Sequence, residues 1–349
     1  MKLIKKVTGI DISKDSFTVC FGTIDESLEQ KISKSFTFSN DKSGFKKLIK
    51  SINFIDVFRS ENIDVQLWFV LEATGVYYEN LAYFLKEHNF MVSVILPNKI
   101  KNFFKTLENK SKTDSLDAKA ITQFGLEKSL KQWTAPTLIF KKLRELTRER
   151  ISTNEVLTQL KNRKHAKEYS HNPNDESVKR LENQILYFKK QLKKIEQEIK
   201  DLVKSDDELN NKISKIMTIK GVGLITVVSV IAETNGFDLI ENYKQLTSYA
   251  GLDVIQDQSG YHTGKTRISK RGNKYLRNAV YLPAICAARF NEILKPVYIR
   301  LSISKNNKKI AIIAVARKLL ILIYTLWKKN EEFNPNFKSA HLLNQHTIC

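Results

Sequence analysis

Apolar and polar positions alternate with two clear periods along this chain. Residues 3–12 and 16–24 read as strands joined by the polar turn Ser13-Lys14-Asp15, and Ser33–Ser39 reads as a third strand. A helix pattern covers about 42–60. The apolar run Val65-Gln-Leu-Trp-Phe-Val-Leu-Glu72 is short enough for a buried strand. A helix over about 76–88, a strand over about 90–96 and a helix near 113–127 follow. Pro136 marks a boundary, beyond which the chain turns long, charged and helical. Val178, Leu181, Ile185, Phe188, Leu192, Ile195, Ile199 and Leu202 repeat at alternating spacings of three and four, an unbroken heptad seam. Ile139, Leu143, Leu146, Thr153, Leu157 and Leu160 form a poorer seam with Arg150 in one core slot. His171-Asn-Pro-Asn-Asp175 between the two is turn chemistry, so an antiparallel helical hairpin is expected.

Three strands, a helix, then alternating strand and helix give an α/β layout with a mixed sheet, in ribonuclease-H-like order. The expected organisation is an α/β RNase H-like (RuvC-like) domain over 1–130, a coiled-coil hairpin over 137–205, a mostly α-helical unit over 210–332, and a polar tail over 333–349. The most apolar segment, Ile310–Trp327, carries Arg317 and Lys318 in its middle, so a buried core helix is favoured over a membrane span.

Charge changes the picture more than composition does. The 349 residues include 58 Lys+Arg against 37 Asp+Glu, a net charge of +21 that calls for a polyanionic partner, nucleic acid before membrane. Cys20, Cys286 and Cys349 form no disulfide framework and no metal-ligand spacing, which fits a reducing cytoplasm. The start, Met1–Lys14, has no apolar stretch of signal-peptide length.

Four acids stand where acids are costly. Asp11 lies between Ile10 and Ile12, and Glu72 ends the apolar run Leu67–Leu71. Asp114 and Asp117 are three apart, on one helix face. Hard divalent cations such as Mg²⁺ or Mn²⁺ want oxygen ligands, and two of them about 4 Å apart can hold both oxygens of a phosphodiester exchange. A strand-end cap or a first-turn acid is the plainer role for any one of the four.

The C-terminal unit supplies candidates for binding. Ile219-Lys-Gly-Val-Gly-Leu reads either as a helix-hairpin-helix turn, with Gly221 and Gly223 letting backbone amides approach a phosphate, or as a helix-packing turn. No acid lies between Asp257 and Glu292, a window holding Lys265, Arg267, Lys270, Arg271, Lys274, Arg277 and Arg289. Such a segment suits sequence-blind phosphate contact. Ser259, just before Gly260, is a candidate nucleophile. Its rival Ser269 sits near a helix start, where capping is the ordinary role. His262 reads as a loop or phosphate contact.

As an ordered set, Gly9–Lys14, Glu72–Tyr77, Lys112–Ala118, Gly221–Gly223, Tyr249–Leu252, Ser259-Gly260 and Ile268–Arg277 resemble the DEDD transposases of the insertion-sequence 110/1111 group, relatives of Piv-type invertases. The resemblance spans nearly the whole chain. It implies that Asp11, Glu72, Asp114 and Asp117 bind Mg²⁺, and that Ser259 forms a transient phosphoserine bond with DNA. It also implies guidance by a structured noncoding bridge RNA that pairs with donor and target DNA, homo-oligomers (dimers, and tetramers on DNA), and a nucleoid-associated protein of a bacterium or archaeon. Many relatives carry Pro after the Gly-Leu of Tyr249–Leu252, where this chain has Asp253-Val254. A RuvC-like endonuclease using water, and a catalytically dead nucleic-acid scaffold, are the rival readings.

Overall fold

The computed structural model describes residues 2–52, 65–73, 75–107, 113–238, 240–255, 258–259, 262–264, 267–304 and 307–336. The chain divides into two compact units, Met1–Ala135 and Pro136–Cys349.

The first unit contains β1 (Leu3–Ile12), β2 (Ser16–Asp25), β3 (Gln30–Ile32), β4 (Phe36–Ser39), α1 (Lys42–Ile52), β5 (Leu67–Glu72), α2 (Glu79–Glu87), β6 (Met91–Ile95), α3 (Pro97–Phe104) and α4 (Asp114–Glu127). The strand order is β3-β2-β1-β5-β6, with β4 also pairing β2. β2 pairs antiparallel with β1, β3 and β4, whereas β1, β5 and β6 run parallel. This mixed sheet has the expected ribonuclease-H-like order.

Alternation along the strands builds two cores. Ile10, Phe69 and Leu71 face Phe45 and Leu48 of α1 and Leu81 and Leu85 of α2. Val7 and Val70 face Ile100 and Phe103 of α3 and Ile121 and Phe124 of α4.

The structure differs from the expectation in two places, and one expected helix is described only in part. The single third strand is two. Ser33 interrupts it, donating its amide to the Phe21 carbonyl (2.8 Å) while its hydroxyl accepts from the Phe21 amide (3.0 Å). Between the pairs Gly22–Ile32 and Val19–Phe36 the outer chain carries one residue more than β2, which is a bulge. The helix expected to 60 is described to Ile52, and 53–64 lie outside the described residues. The short helix α3 was not foreseen. It opens on Pro97, which suits a first helical turn, but eight residues are too few for a periodic signal.

The second unit contains α5 (Leu138–Glu168), α6 (Asp175–Lys204), α7 (Asp207–Met217), α8 (Leu224–Thr234), α9 (Tyr243–Tyr249), β7 (Val254–Ile255), β8 (Gln258–Ser259), β9 (His262–Thr263), β10 (Arg267–Ile268), α10 (Lys274–Phe290), α11 (Leu294–Ser304) and α12 (Lys308–Lys329). α5 and α6 form an antiparallel pair, capped at their starts by Thr137 and Asn174. Leu157 and Leu160 pack on Leu181 and Ile185. Lys164–Glu182 (3.0 Å) and Arg150–Glu196 (2.8 Å) cross-link the two helices, so the arginine in the core slot is paired. At the base of the pair, Leu143, Ile195, Ile199 and Val203 belong to the same core as Val227, Ile231, Leu276 and Leu319. The hairpin is therefore rooted in the helical unit. α12 is long and apolar enough to cross a membrane, but Val315, Ala316, Leu319, Leu320 and Ile323 are buried in that core, as a core helix requires.

Candidate functional site

The sheet brings two of the four acids side by side. Ile10 of β1 lies opposite Leu71 of β5 in parallel register, so Asp11 and Glu72 hold the next positions on neighbouring strands. Both share the sheet face of Val7, Gly9 and Val70, which α4 covers. Gly9 lets α4 approach: a Cβ there would stand 2.3 Å from the Thr122 amide nitrogen. At Gly125 a Cβ would meet Val7 and Val70. Higher numbers on β1 thus meet lower numbers on α4, and the start of α4 points to the strand end that carries Asp11. Thr122 fastens the contact, its hydroxyl donating to the Cys20 carbonyl at 3.0 Å. Thr113 caps α4 by accepting from the Leu116 amide, and Asp114 and Asp117 fall in the first turn.

All four acids therefore sit at the carboxyl end of the parallel strands, where open α/β sheets bind ligands. Asp11, Glu72 and Asp117 are half-buried and Asp114 is exposed. Among the described residues no three His, Cys, Asp or Glu side chains are grouped closely enough to hold a metal ion. The neighbouring strand positions of Asp11 and Glu72 nevertheless offer the kind of donor that Mg²⁺ uses, one or two carboxylates completed by water and substrate phosphate.

The acid-free window lies in the second unit. β8 and β9 pair so that Ser259 is directly opposite His262, an adjacency that three-residue spacing alone leaves open. A second small ladder pairs Val254 with Ile268 and Ile255 with Arg267. Outside these ladders two sequence motifs zip together. The Ser269 amide donates to the Asp253 carbonyl (2.9 Å), the Lys270 amide to Gly251 (3.0 Å) and the Asn273 amide to Tyr249 (2.7 Å). Gly272 is required here, because a Cβ would lie 2.4 Å from the Tyr249 carbonyl oxygen.

The basic residues divide by role. Arg267, Lys270, Arg271 and Lys274 are exposed. Arg277 is half-buried and turns inward, donating to the carbonyls of Ala250 (2.9 Å) and Gly272 (3.2 Å), and burial holds its pKa below the usual value. Arg289 is exposed on α10, and Lys265 lies outside the described residues. Gly221, at φ +99°, packs against α10, with a Cβ reaching 2.8 Å from the Ala287 nitrogen, so it serves the helix-packing reading. Gly223 is the N-cap residue of α8 and faces open space. Ser269 does not cap α10. Its hydroxyl binds the Asp253 carboxylate, and Asn273 is the cap, accepting from the amides of Tyr275 (2.9 Å) and Leu276 (3.2 Å). Asp253 thus has a local partner in Ser269.

Sequence reasoning missed Glu233, buried in α8. Arg148 of α5 grips it with two bonds of 2.7 and 2.9 Å, and Asn273 donates to it at 2.6 Å. The pair raises the Arg148 pKa, and burial raises that of Tyr249, whose hydroxyl donates to the Glu233 carbonyl at 3.3 Å. The one sequence signal was a lone acid at the end of the apolar run Leu224–Ala232.

Comparison with known proteins finds relatives for both units. Two family models match: a DEDD transposase model over residues 8–167, and the transposase IS116/IS110/IS902 family model over 213–298. The pilin gene-inverting protein of Moraxella bovis is 29% identical over 334 residues, covering 95% of this chain and 98% of that protein. The transposase for insertion sequence element IS1111A of Coxiella burnetii is 27% identical over 141 residues, covering 40% of this chain and 38% of that one. A solved structure, T. thermophilus RuvC in complex with Holliday junction substrate, aligns with 37% of this chain and 84% of its own at 12% identity, with a TM-score of only 0.24. The DEDD model implies dependence on a divalent metal ion. The chain belongs to the IS110/IS1111 group of transposases.

Proposed function

We propose that this transposase cuts and exchanges DNA strands through a covalent bond between Ser259 and a DNA phosphate. Asp11, Glu72, Asp114 and Asp117 would hold Mg²⁺ or Mn²⁺ beside the reacting phosphate. The observation that carries the metal half is the register that sets Asp11 next to Glu72 under the first turn of α4. Bound there, divalent cations supply neutralisation of the charge that develops on the phosphate oxygens.

The chain's own groups then have defined tasks. The Ser259 hydroxyl oxygen forms a bond to phosphorus, its proton is released, and the departing strand oxygen takes up a proton and leaves as a hydroxyl. In the reverse sense a hydroxyl of another strand attacks the phosphoserine and frees Ser259. Lys265, Arg267, Lys270, Arg271 and Lys274 grip the backbone electrostatically and carry no sequence information. Sequence choice falls to a bridge RNA paired with donor and target DNA. The functional divisions are 1–130 for metal, 137–205 for the hairpin and 210–332 for the serine. Acids and serine lie in different units, so an oligomer in which one protomer's acids meet another's Ser259 suits the chemistry.

The test uses full-length protein with its co-purifying RNA, element-end DNA and Mg²⁺. Wild type is expected to give a denaturant-stable protein–DNA adduct, and Ser259→Ala none. An adduct with Ser259→Ala refutes the nucleophile. Hydrolytic cutting of branched DNA with no adduct and no RNA would instead favour a water-using endonuclease. Sequencing the RNA that co-purifies tests guidance.

A further inference from the structure

We infer that Glu233 is a positioning residue: it locks the base of the segment that carries Ser259 to the helical hairpin, and so sets where the serine stands. The inference rests on the reading of Ser259 as nucleophile.

The segment that holds β7 to β10 lies between α9 and α10 in the chain. Its exit, Tyr249–Asp253, and its re-entry, Ser269–Asn273, are zipped by three main-chain bonds and by the Ser269–Asp253 side-chain bond. Such a zipper fixes the two stems relative to each other. Arg277 ties both stems to α10 through the carbonyls of Ala250 and Gly272. Glu233 supplies the tie to α5 of the hairpin. Its side chain is 2% exposed, and its two oxygens are shared between Arg148 and Asn273. Asn273 is also the N-cap of α10 and bonds the Tyr249 carbonyl through its own amide, so one residue ties the re-entry stem, the exit stem and a long helix together. Tyr249 adds a bond from the exit stem to the Glu233 main chain. Arg148 carries the connection to α5, where its guanidinium also stacks on Tyr275 at 4.5 Å.

A buried carboxylate needs several hydrogen-bond donors, and the elements that supply them are the ones it ties together. This one has a cation from the hairpin and an amide from the stem, and the amide belongs to the residue where both stems meet. Loosening it leaves the charge and exposure of Arg267, Lys270, Arg271 and Lys274 unchanged, and lets the stems tilt. The expected defect is therefore in reaction geometry and not in DNA capture, since errors near 1 Å at a reacting atom cost on the order of 100-fold in rate.

The experiment uses full-length wild type, Glu233→Gln and Asn273→Asp with element-end DNA, the co-purifying RNA and Mg²⁺. Asn273→Asp keeps a cap for α10 but sets a second carboxyl against Glu233, so it tests the link even where Glu233→Gln folds poorly. Three quantities are read: the adduct-forming rate at saturating DNA, the Kd for that DNA, and amide exchange across 249–273 and across α12. Both variants are expected to lose about 100-fold in adduct rate, to change Kd less than about threefold, and to exchange faster in 249–273 with α12 unchanged. Wild-type rates in both variants, a loss carried mainly by Kd, or exchange raised equally in α12 overturns the inference. Ser259→Ala runs in parallel. An adduct from that variant overturns the nucleophile reading alone, because the exchange pattern still reports whether Glu233 holds the stems.

Discussion

Replacing Gly9 with alanine should push α4 off the sheet and disable the acid site from behind. The added Cβ would lie 2.3 Å from the Thr122 amide nitrogen and 2.4 Å from its hydroxyl oxygen. Ordinary contact begins at 3.4 Å, so α4 must withdraw by about 1.1 Å, since a main-chain nitrogen cannot rotate aside. The withdrawal stretches the buried Thr122–Cys20 bond of 3.0 Å. Overpacking of this kind costs about 1–3 kcal/mol, and loss of a buried hydrogen bond about 1 kcal/mol more. At about 2–4 °C per kcal/mol the melting temperature falls by roughly 4–16 °C. The same shift moves Asp114 and Asp117 away from Asp11 and Glu72, and about 1 Å is worth on the order of 100-fold in rate. Calorimetry gives the first number and Mg²⁺-dependent strand cleavage, assayed well below the melting temperature, gives the second. Gly22→Ala is the comparison: its Cβ meets Thr122 Cγ2 at 2.6 Å and Leu126 Cδ1 at 3.0 Å, side-chain atoms and not the α4 main chain. If Gly9→Ala melts and cleaves like wild type, or no worse than Gly22→Ala, α4 does not set the acid geometry.

The elements that carry the four acids were legible because they are written in local periods. Asp11 lies one residue before the end of β1, Glu72 closes an apolar run, and Asp114 and Asp117 are a one-turn pair on a helix with its own cap. What reading by period misses is whatever closes over distance. Glu233 meets Arg148 across 85 positions, and no spacing rule links an acid in an apolar helix to one arginine among many. The capping expected of Ser269 fell to Asn273 for a related reason. Both residue types cap helices, and the choice between them depends on where α10 begins, which the zipper with Tyr249–Asp253 decides. Gly221 illustrates a third limit. Its glycine was foreseen, but phosphate approach and helix packing ask for the same missing Cβ, and only the position of Ala287 separates them. The bulge at Ser33 was hidden because β3 and β4 together hold seven strand residues, too few to show a change of register.

Three further outcomes follow from the same contacts. Gly221→Ala should destabilise the protein by about 3 kcal/mol, through a positive φ and the 2.8 Å approach to Ala287, whereas Gly223→Ala, with nothing within 4 Å, should shift it by a few tenths of a kcal/mol at most. Equal melting temperatures would refute this. Thiol labelling followed peptide by peptide at pH 8.5 should modify the exposed Cys286 and spare Cys20, whose thiol is buried and pushed up to about 11 from 9.0, with Lys119 opposing. Because that folded pKa is raised, the stability tied to the neutral thiol is intact below about pH 9 and is lost as pH rises towards 11. Equal labelling of the two cysteines at that pH would contradict the burial. Lys274 and Arg277 should separate binding from structure although they are one helical turn apart. Lys274 is exposed, so Lys274→Ala should lower the slope of log affinity against log salt by about 0.9 for one lost phosphate contact, with the melting temperature unchanged. Arg277 spends its guanidinium on the carbonyls of Ala250 and Gly272, so Arg277→Ala should cost about 2 kcal/mol of stability and leave the salt slope alone. If Arg277→Ala instead lowers the slope at constant stability, its inward bonds give way to DNA and the division of the basic window into gripping and bracing residues is wrong.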